Sequence, residues 1–357
     1  MPLIPLESVI DAVTRAACRE RLWTTSKVTL TCGKLGDVGE PMLPMVFTVA
    51  MARARGYSPY RIEQNVRTGR WHALRRGIFC LREHWAADAG DPMLRHVMEA
   101  TAARLSVARF TVVSGWSAAV LHNLPCPAAR LGLVTLTAEC GARIRRPDLH
   151  VAVAPLPTAH VQDRFGVPTT TAARCAVDVA RQSGADDFAS VVCLLDAALH
   201  DGKASRVELQ RMLDGMRRWP GSGVAVRALA FADEKAETPL ESRSRVFIAE
   251  AGLPAPATQV EICDDTGRFV ARVDFLWPEY RTVGEADGRT KYRQPGDLYK
   301  EKRREDRLRE LGLEIVRWSW ADIHDRSDET EQRIWQAFAR GRARSHADAG
   351  FLLLRRS

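Results

Sequence analysis

The sequence predicts a mixed α+β protein built in consecutive parts, and three observations support that prediction. A short basic unit between residues 44 and 86 carries helix signals followed by hairpin signals. A long middle stretch alternates capped helical segments with apolar strand-like runs, and a dense C-terminal stretch reads as helix, three strands, helix, strand. A chain of 357 residues with 46% hydrophobic and 27% charged content is long enough for two or three cores and excludes a disordered or fibrous protein.

Residues 1–43 include a glycine-rich, poorly periodic segment (Gly33, Gly36, Gly39, Pro41). They read as a leader that promises little packed structure, or as the product of a start codon placed too early. Residues 47–55 read as a short helix stopped by Gly56. Ser58 then offers an N-cap with Pro59 at the first helical position, and the second helix runs through Ile62 and Val66 to Gly69. Residues 71–74 and 78–81 read as two strands around the basic turn Arg75-Arg76-Gly77. Helix, turn, helix, hairpin is the order of a winged helix. Eight arginines stand against two glutamates between residues 44 and 85, a net charge of +6. Such density suits phosphate contacts by Arg61, Arg67, Arg75 and Arg76; the plainer alternative is a solvated basic face.

Residues 87–237 read as a mixed α/β connecting domain without a chemical signature. Residues 131–137 and 150–154 look like strands, and 170–182, 186–200 and 205–216 like capped helices. Val113-Ser114-Gly115-Trp116-Ser117 half-resembles the strand-to-helix turn of a serine nucleophile. Ala119 stands where a second glycine belongs and no acid and histidine follow in order, so Ser114 is expected to cap a helix. His122 and the Asp186-Asp187 pair read as structural.

Beyond a charged linker, Thr238 and Pro239 start a helix that Gly252 ends. Strands follow at 259–262, 269–277 and 281–285, then a helix at 297–311 and a strand at 314–318. This is an α/β core over residues 238–325, followed by a helical tail over 326–357. Asp274 interrupts an apolar strand, and Glu285 and Asp287, two apart, share a face of the next. Adjacent antiparallel strands are expected to bring these carboxylates together, and clustered like charges call for a cation. A hard, oxygen-seeking ion such as Mg²⁺ or Mn²⁺ fits, and it can polarise a phosphate and activate water. The alternative is that Asp274 and Asp287 end strands, with Asp287-Gly288 as turn chemistry. Nine basic residues face four acids between 289 and 309. Nucleic acid beside the site would use that charge, and a solvated helix laced with i,i+4 pairs would also explain it. Trp318 and Trp320 are expected to pack in the core.

Over the whole chain 52 Lys+Arg against 44 Asp+Glu leave +8, which favours a polyanionic partner. Eight cysteines without a Cys-x-x-Cys argue for reduced thiols and against a zinc ribbon or disulfide scaffold. No signal-peptide start and no membrane-length apolar run is present, so a cytoplasmic protein with no membrane partner is expected.

Leu240-Glu241-Ser242, the run Arg272 to Pro278, Gly284-Glu285-Ala286-Asp287-Gly288, the run Lys302 to Asp306 and the run Val316 to Trp320 resemble the very-short-patch-repair branch of the PD-(D/E)xK nuclease superfamily. The resemblance spans residues 239–325. It implies a restriction-endonuclease-like αβββαβ core and a Mg²⁺- or Mn²⁺-dependent endonuclease that hydrolyses DNA phosphodiesters. Asp274 and Glu285 would be metal ligands and Glu241 a further carboxylate; Asp287 is a third candidate ligand from the carboxylate spacing alone. The superfamily's lysine two after the glutamate is here Asp287, and Lys291 or Lys302 are the candidates to supply its charge. Residues 47–81, with Gly56-Tyr57-Ser58 and Leu74-Arg75-Arg76-Gly77-Ile78-Phe79, resemble the winged-helix domain of AbiEi-type antitoxins. That implies DNA as partner, a cognate toxin, and a place in a toxin–antitoxin or phage-defence system; the nuclease resemblance adds repair. The alternative to an enzyme is a non-enzymatic antitoxin or transcriptional repressor with a degenerate nuclease fold, motivated by Asp287.

Overall fold

The structure is a computed structural model that describes residues 23–24, 43–87, 91–184, 187–287, 295–345 and 353–355. The chain is a mixed α+β protein with several sheets. It divides into two compact units, residues 1–185 with 202–229 and residues 186–201 with 230–357. Among the described residues no helix is long and apolar enough to cross a membrane.

The first unit opens with β1 (Val46–Thr48), α1 (Val49–Ala54), α2 (Pro59–Arg67), β2 (Trp71–Arg75) and β3 (Ile78–Leu81). Residues 46–48 are a strand rather than the start of a helix, because Val46 and Phe47 pair with Cys80 and Phe79 and complete a sheet of order β1-β3-β2. Thr48 then caps α1 by accepting from the Met51 N–H, and Ser58 caps α2 by accepting from the Arg61 N–H. The basic turn holds Gly77 at φ +71°, a conformation that favours glycine. Phe47, Tyr57, Ile62, Trp71 and Phe79 form the core of this small assembly, with the Phe47 and Trp71 rings edge to face at 4.7 Å.

After α3 (Arg82–Ala87) and α4 (Pro92–Ser106) comes a six-stranded mixed sheet. Its members are β4 (Val112–Val113), β5 (Val134–Ala138), β6 (Ile144–Arg146), β7 (Leu149–Val153), β8 (Val161–Arg164) and β9 (Val167–Thr170), in the order β8-β9-β4-β5-β7-β6. The helices α5 (Gly115–Leu121) and α6 (Ala172–Gln182) pack together in this unit, and α8 (Arg206–Gly215) packs on α6. Ser205 and Glu208 form a reciprocal capping box at the start of α8.

The second unit includes α7 (Phe188–His200), which the sequence placed in the connecting domain. Its buried Asp196 meets Arg245 of α10 (Pro239–Glu250) at 2.9 Å, and the Cys193 Sγ donates to the Pro239 carbonyl at 3.4 Å. These contacts tie α7 to the later residues. Beyond α9 (Ser222–Phe231), which belongs to the first unit as far as Leu229, and α10 come β10 (Ala257–Cys263), β11 (Phe269–Trp277), β12 (Thr282–Ala286), α11 (Pro295–Glu310) and β13 (Glu314–Trp318). The chain continues through α12 (Trp320–Asp325) and α13 (Ser327–Ser345) to β14 (Leu353–Arg355). The sheet runs β13-β12-β11-β10-β14, parallel between β12 and β13 and antiparallel elsewhere. The described residues beyond 326 are not a tail outside the core. Ile334, Ala337 and Phe338 of α13, spaced for one helix face, are buried with Trp277 and Trp318, and β14 extends the sheet. Trp318 is buried, whereas Trp320 lies on α12 and is partly buried. A Cβ at Gly284 would lie 2.5 Å from the Trp318 ring and 2.9 Å from that of Trp277, which accounts for glycine mid-strand.

Candidate functional site

Two groups of residues qualify. In the first unit, α2 turns Ile62 inward and leaves Tyr60, Arg61, Gln64 and Arg67 exposed. Tyr60, Gln64 and Arg67 fall at i, i+4 and i+7, one stripe along the helix. Arg61 lies over the Tyr57 ring at 5.3 Å. Arg67, and Arg76 on the turn after β2, are exposed and make no hydrogen bond or ion pair among the described residues. Arg75 differs: its guanidinium meets the Asp148 carboxylate at 2.7 Å and holds that acid below its ordinary range. Of the four arginines expected to contact phosphate, Arg75 is therefore partly neutralised. Tyr60 and Gln64 escaped the charge-based reading, although their spacing with Arg67 was visible.

In the second unit the carboxylates are placed as follows. Glu241 at the start of α10 is buried. One of its oxygens accepts from the Thr238 hydroxyl at 2.8 Å, and the other accepts from the Glu237 N–H at 3.0 Å and from Gln259 Nε2 at 2.8 Å. Together with the Thr238 oxygen accepting from the Glu241 N–H, this is a helix cap. Gln259 also reaches Asp274 Oδ1 at 3.4 Å, and Asp274 Oδ2 accepts from the Ala286 N–H at 2.9 Å. Gln259 itself sits at φ +49°, a position few side chains adopt. Around it the register runs Thr258 to Phe275 and Val260 to Val273. Yet Val273 packs in the core beside α11, and Phe275 packs in the core beside α10 and α13. Asp274 thus lies where β11 changes which core it serves. Sequence reasoning passed over Gln259 because nothing in a lone glutamine marks a left-handed backbone.

Glu285 on β12 is almost fully buried and is held by arginines. Arg304 of α11 donates to its two oxygens at 2.6 and 3.2 Å, and Arg317 of β13 donates at 3.3 Å. Arg304 also donates to the Arg272 carbonyl at 2.9 Å, so it links α11 to two strands. The expected cation near Glu285 is thus Arg304 rather than Lys302, which is exposed; Lys291 lies outside the described residues. The signal was helical spacing, since Arg304 precedes the buried Leu308 by one turn. Asp287 gives its N–H to the Trp318 carbonyl at 2.9 Å and prolongs the β12–β13 ladder, while its carboxylate has no partner among the described residues.

These groups do not form a divalent-cation site as placed. Among the described residues no three His, Cys, Asp or Glu side chains are placed to hold a metal ion. The Glu241 oxygens are used by the cap and by Gln259, and Glu285 faces two guanidiniums that oppose a further cation. The expected cluster of Asp274, Glu285 and Asp287 is therefore absent among the described residues, and no step is assigned to Mg²⁺ or Mn²⁺. Ser114 does stand between β4 and α5, but it makes no capping bond and its hydroxyl instead accepts from Thr137 Oγ1 at 2.8 Å.

No family model matches the chain, and no solved structure matches it. Uncharacterized proteins of Mycobacterium tuberculosis strains CDC 1551 and H37Rv are each 34% identical to it over 176 residues. The match covers 49% of this chain and 63% of each relative, so the chain spans less than two thirds of their length.

Proposed function

We propose that the chain is a DNA-binding protein whose first unit carries a winged helix. Arg61, Arg67 and Arg76 contact duplex phosphates, and Tyr60 and Gln64 on the same helix reach base edges. The observation that supports this most is the exposed stripe on α2, in a segment of net charge +6 whose turn carries Arg76, exposed and without a partner among the described residues. Glutamine and arginine are side chains that pair with purine edges in the major groove. In this reading the second unit is a nuclease-like fold without hydrolytic activity, as in an antitoxin or repressor. Glu241 and Glu285 hold the unit together through the cap and through Arg304 and Arg317. Fluorescence anisotropy with a duplex oligonucleotide tests it: the full chain binds, and Arg67→Ala with Arg76→Ala weakens binding on every sequence. No binding, or binding unchanged by both substitutions, sinks it.

A second reading, a Mg²⁺- or Mn²⁺-dependent endonuclease, draws on the order of helix, meander, crossover helix and parallel strand, with Asp274 and Glu285 on adjacent strands. It requires Glu285 to leave its guanidinium partners. Calorimetry with Mn²⁺ separates the two readings: a saturable site lost in Asp274→Ala favours the enzyme, and no heat with DNA binding intact favours the repressor. Plasmid nicking by Asp287→Lys probes the same point, because that substitution restores the superfamily's lysine.

A further inference from the structure

A cavity of about 610 Å³ lies in the first unit between the six-stranded sheet and α6, a size typical of small-ligand sites. One wall is the sheet. Arg145 of β6 pairs with His150 of β7, and His150 pairs with Thr135 of β5, so the three form one row across neighbouring strands. The facing wall is a stripe on α6, Arg174, Asp178 and Arg181 at i, i+4 and i+7. Trp219 closes the edge, with the Arg174 and Arg181 guanidiniums 5.3 and 4.9 Å from its ring centre.

Charge in this cavity is unbalanced. Four arginines (143, 145, 174 and 181) line it, and Asp178 is the one acid among the described lining residues. Asp178 is already engaged by Arg174 Nε at 2.6 Å and Arg181 Nη2 at 3.3 Å. Arg174 is 1% exposed. Its Nη1 donates to the Pro155 carbonyl at 3.1 Å and lies 3.0 Å from His160 Nδ1, and nothing among the described residues accepts from its Nη2. The Nε of Arg181 is buried and lacks an acceptor among the described residues. Arg181 Nη1 donates to the Pro220 carbonyl at 2.6 Å, so its Nε is the one buried guanidinium donor of the stripe left without an acceptor among the described residues, and such a donor is costly to bury. A tetrahedral oxyanion matches the forked donors in shape and charge.

We propose that this cavity binds a small phosphate-bearing ligand, with the phosphoryl group held by Arg174 and Arg181 from the helix and by Arg145 from the sheet. The proposal does not depend on the DNA-binding reading. Isothermal titration of the full chain with inorganic phosphate, adenosine 5′-monophosphate and adenosine tests it. Both phosphates give saturable heat and adenosine gives none. Arg181→Gln and Arg145→Gln each weaken adenosine monophosphate about tenfold or more, as loss of a charge-assisted bond does. Arg145 is exposed, so its variant keeps the fold even if Arg181→Gln does not. Absence of heat with both phosphates at millimolar concentration, or unchanged affinity in Arg145→Gln, overturns the proposal. Displacement of adenosine monophosphate by duplex DNA also overturns it, because the arginines would then serve a nucleic-acid backbone.

Discussion

Arg304 grips Glu285 with both of its terminal nitrogens, at 2.6 and 3.2 Å. The pair fastens the crossover helix α11 to the inner strand β12, and Glu285 is nearly closed to solvent. Removing one partner leaves a buried carboxylate with Arg317 alone. Arg304→Ala is expected to destabilise the protein by about 1–3 kcal/mol, read from the urea midpoint. The same variant bears on metal binding: in the endonuclease reading it raises Mn²⁺ affinity, and in the repressor reading it leaves calorimetry silent.

Gly284→Ala inserts a methyl group into the gap between Trp277 and Trp318. Those rings are fully buried and anchored, Trp318 by its Nε1 donating to the Ser244 hydroxyl and Trp277 by its Nε1 donating to the Pro254 carbonyl. Neither can yield without loss, so the substitution is expected to cost about 1–3 kcal/mol. A denaturant midpoint equal to that of the wild type would contradict the packing described.

Acid should weaken the first unit through His122. Burial pushes this imidazole down to about 4, with help from Arg164 and Lys203, although its Nε2 lies 2.6 Å from the Thr170 carbonyl. In the unfolded chain the same ring titrates near 6.5. The folded state therefore binds fewer protons between those values, so the contribution is complete above the unfolded value and is lost as pH falls towards the folded one. The loss is on the order of 3 kcal/mol, and buried His96, also pushed down by desolvation, adds to it in the same direction. The acid side of a melting-temperature profile measures it, and His122→Gln should flatten that side.

Gln64→Ala and Tyr60→Ala should change which sequences are preferred more than they change overall affinity, because these side chains add no charge. Binding to a randomised duplex pool, sequenced after selection, reads this out; an unaltered preference would remove the two residues from recognition.

Much of the local structure could be read from the sequence, since caps and turns are short-range devices. Ser58-Pro59, Thr238-Pro239 and Gly77 mark their elements as expected. What could not be read depends on partners distant along the chain. Val46 and Phe47 are a strand only because residues 79–80 are there to pair with them. Phe338 is core only because Trp277 and Tyr280 meet it, at 5.1 and 4.1 Å between ring centres. Spacing on β12 put Glu285 and Asp287 together, but it could not show that Arg304 and Arg317 would occupy Glu285, or that Glu241 would be consumed by the Thr238 cap.

The salt dependence of duplex binding tests the central claim most directly. Contacts to phosphate release counterions, so the logarithm of the affinity should fall steeply and linearly with the logarithm of salt concentration. Arg67→Ala and Arg76→Ala should each lower that slope by about one unit on every sequence tested. Arg75→Ala should lower it less, because Asp148 already holds that guanidinium. An affinity independent of salt, or a slope that Arg67→Ala and Arg76→Ala leave unchanged, would contradict the account.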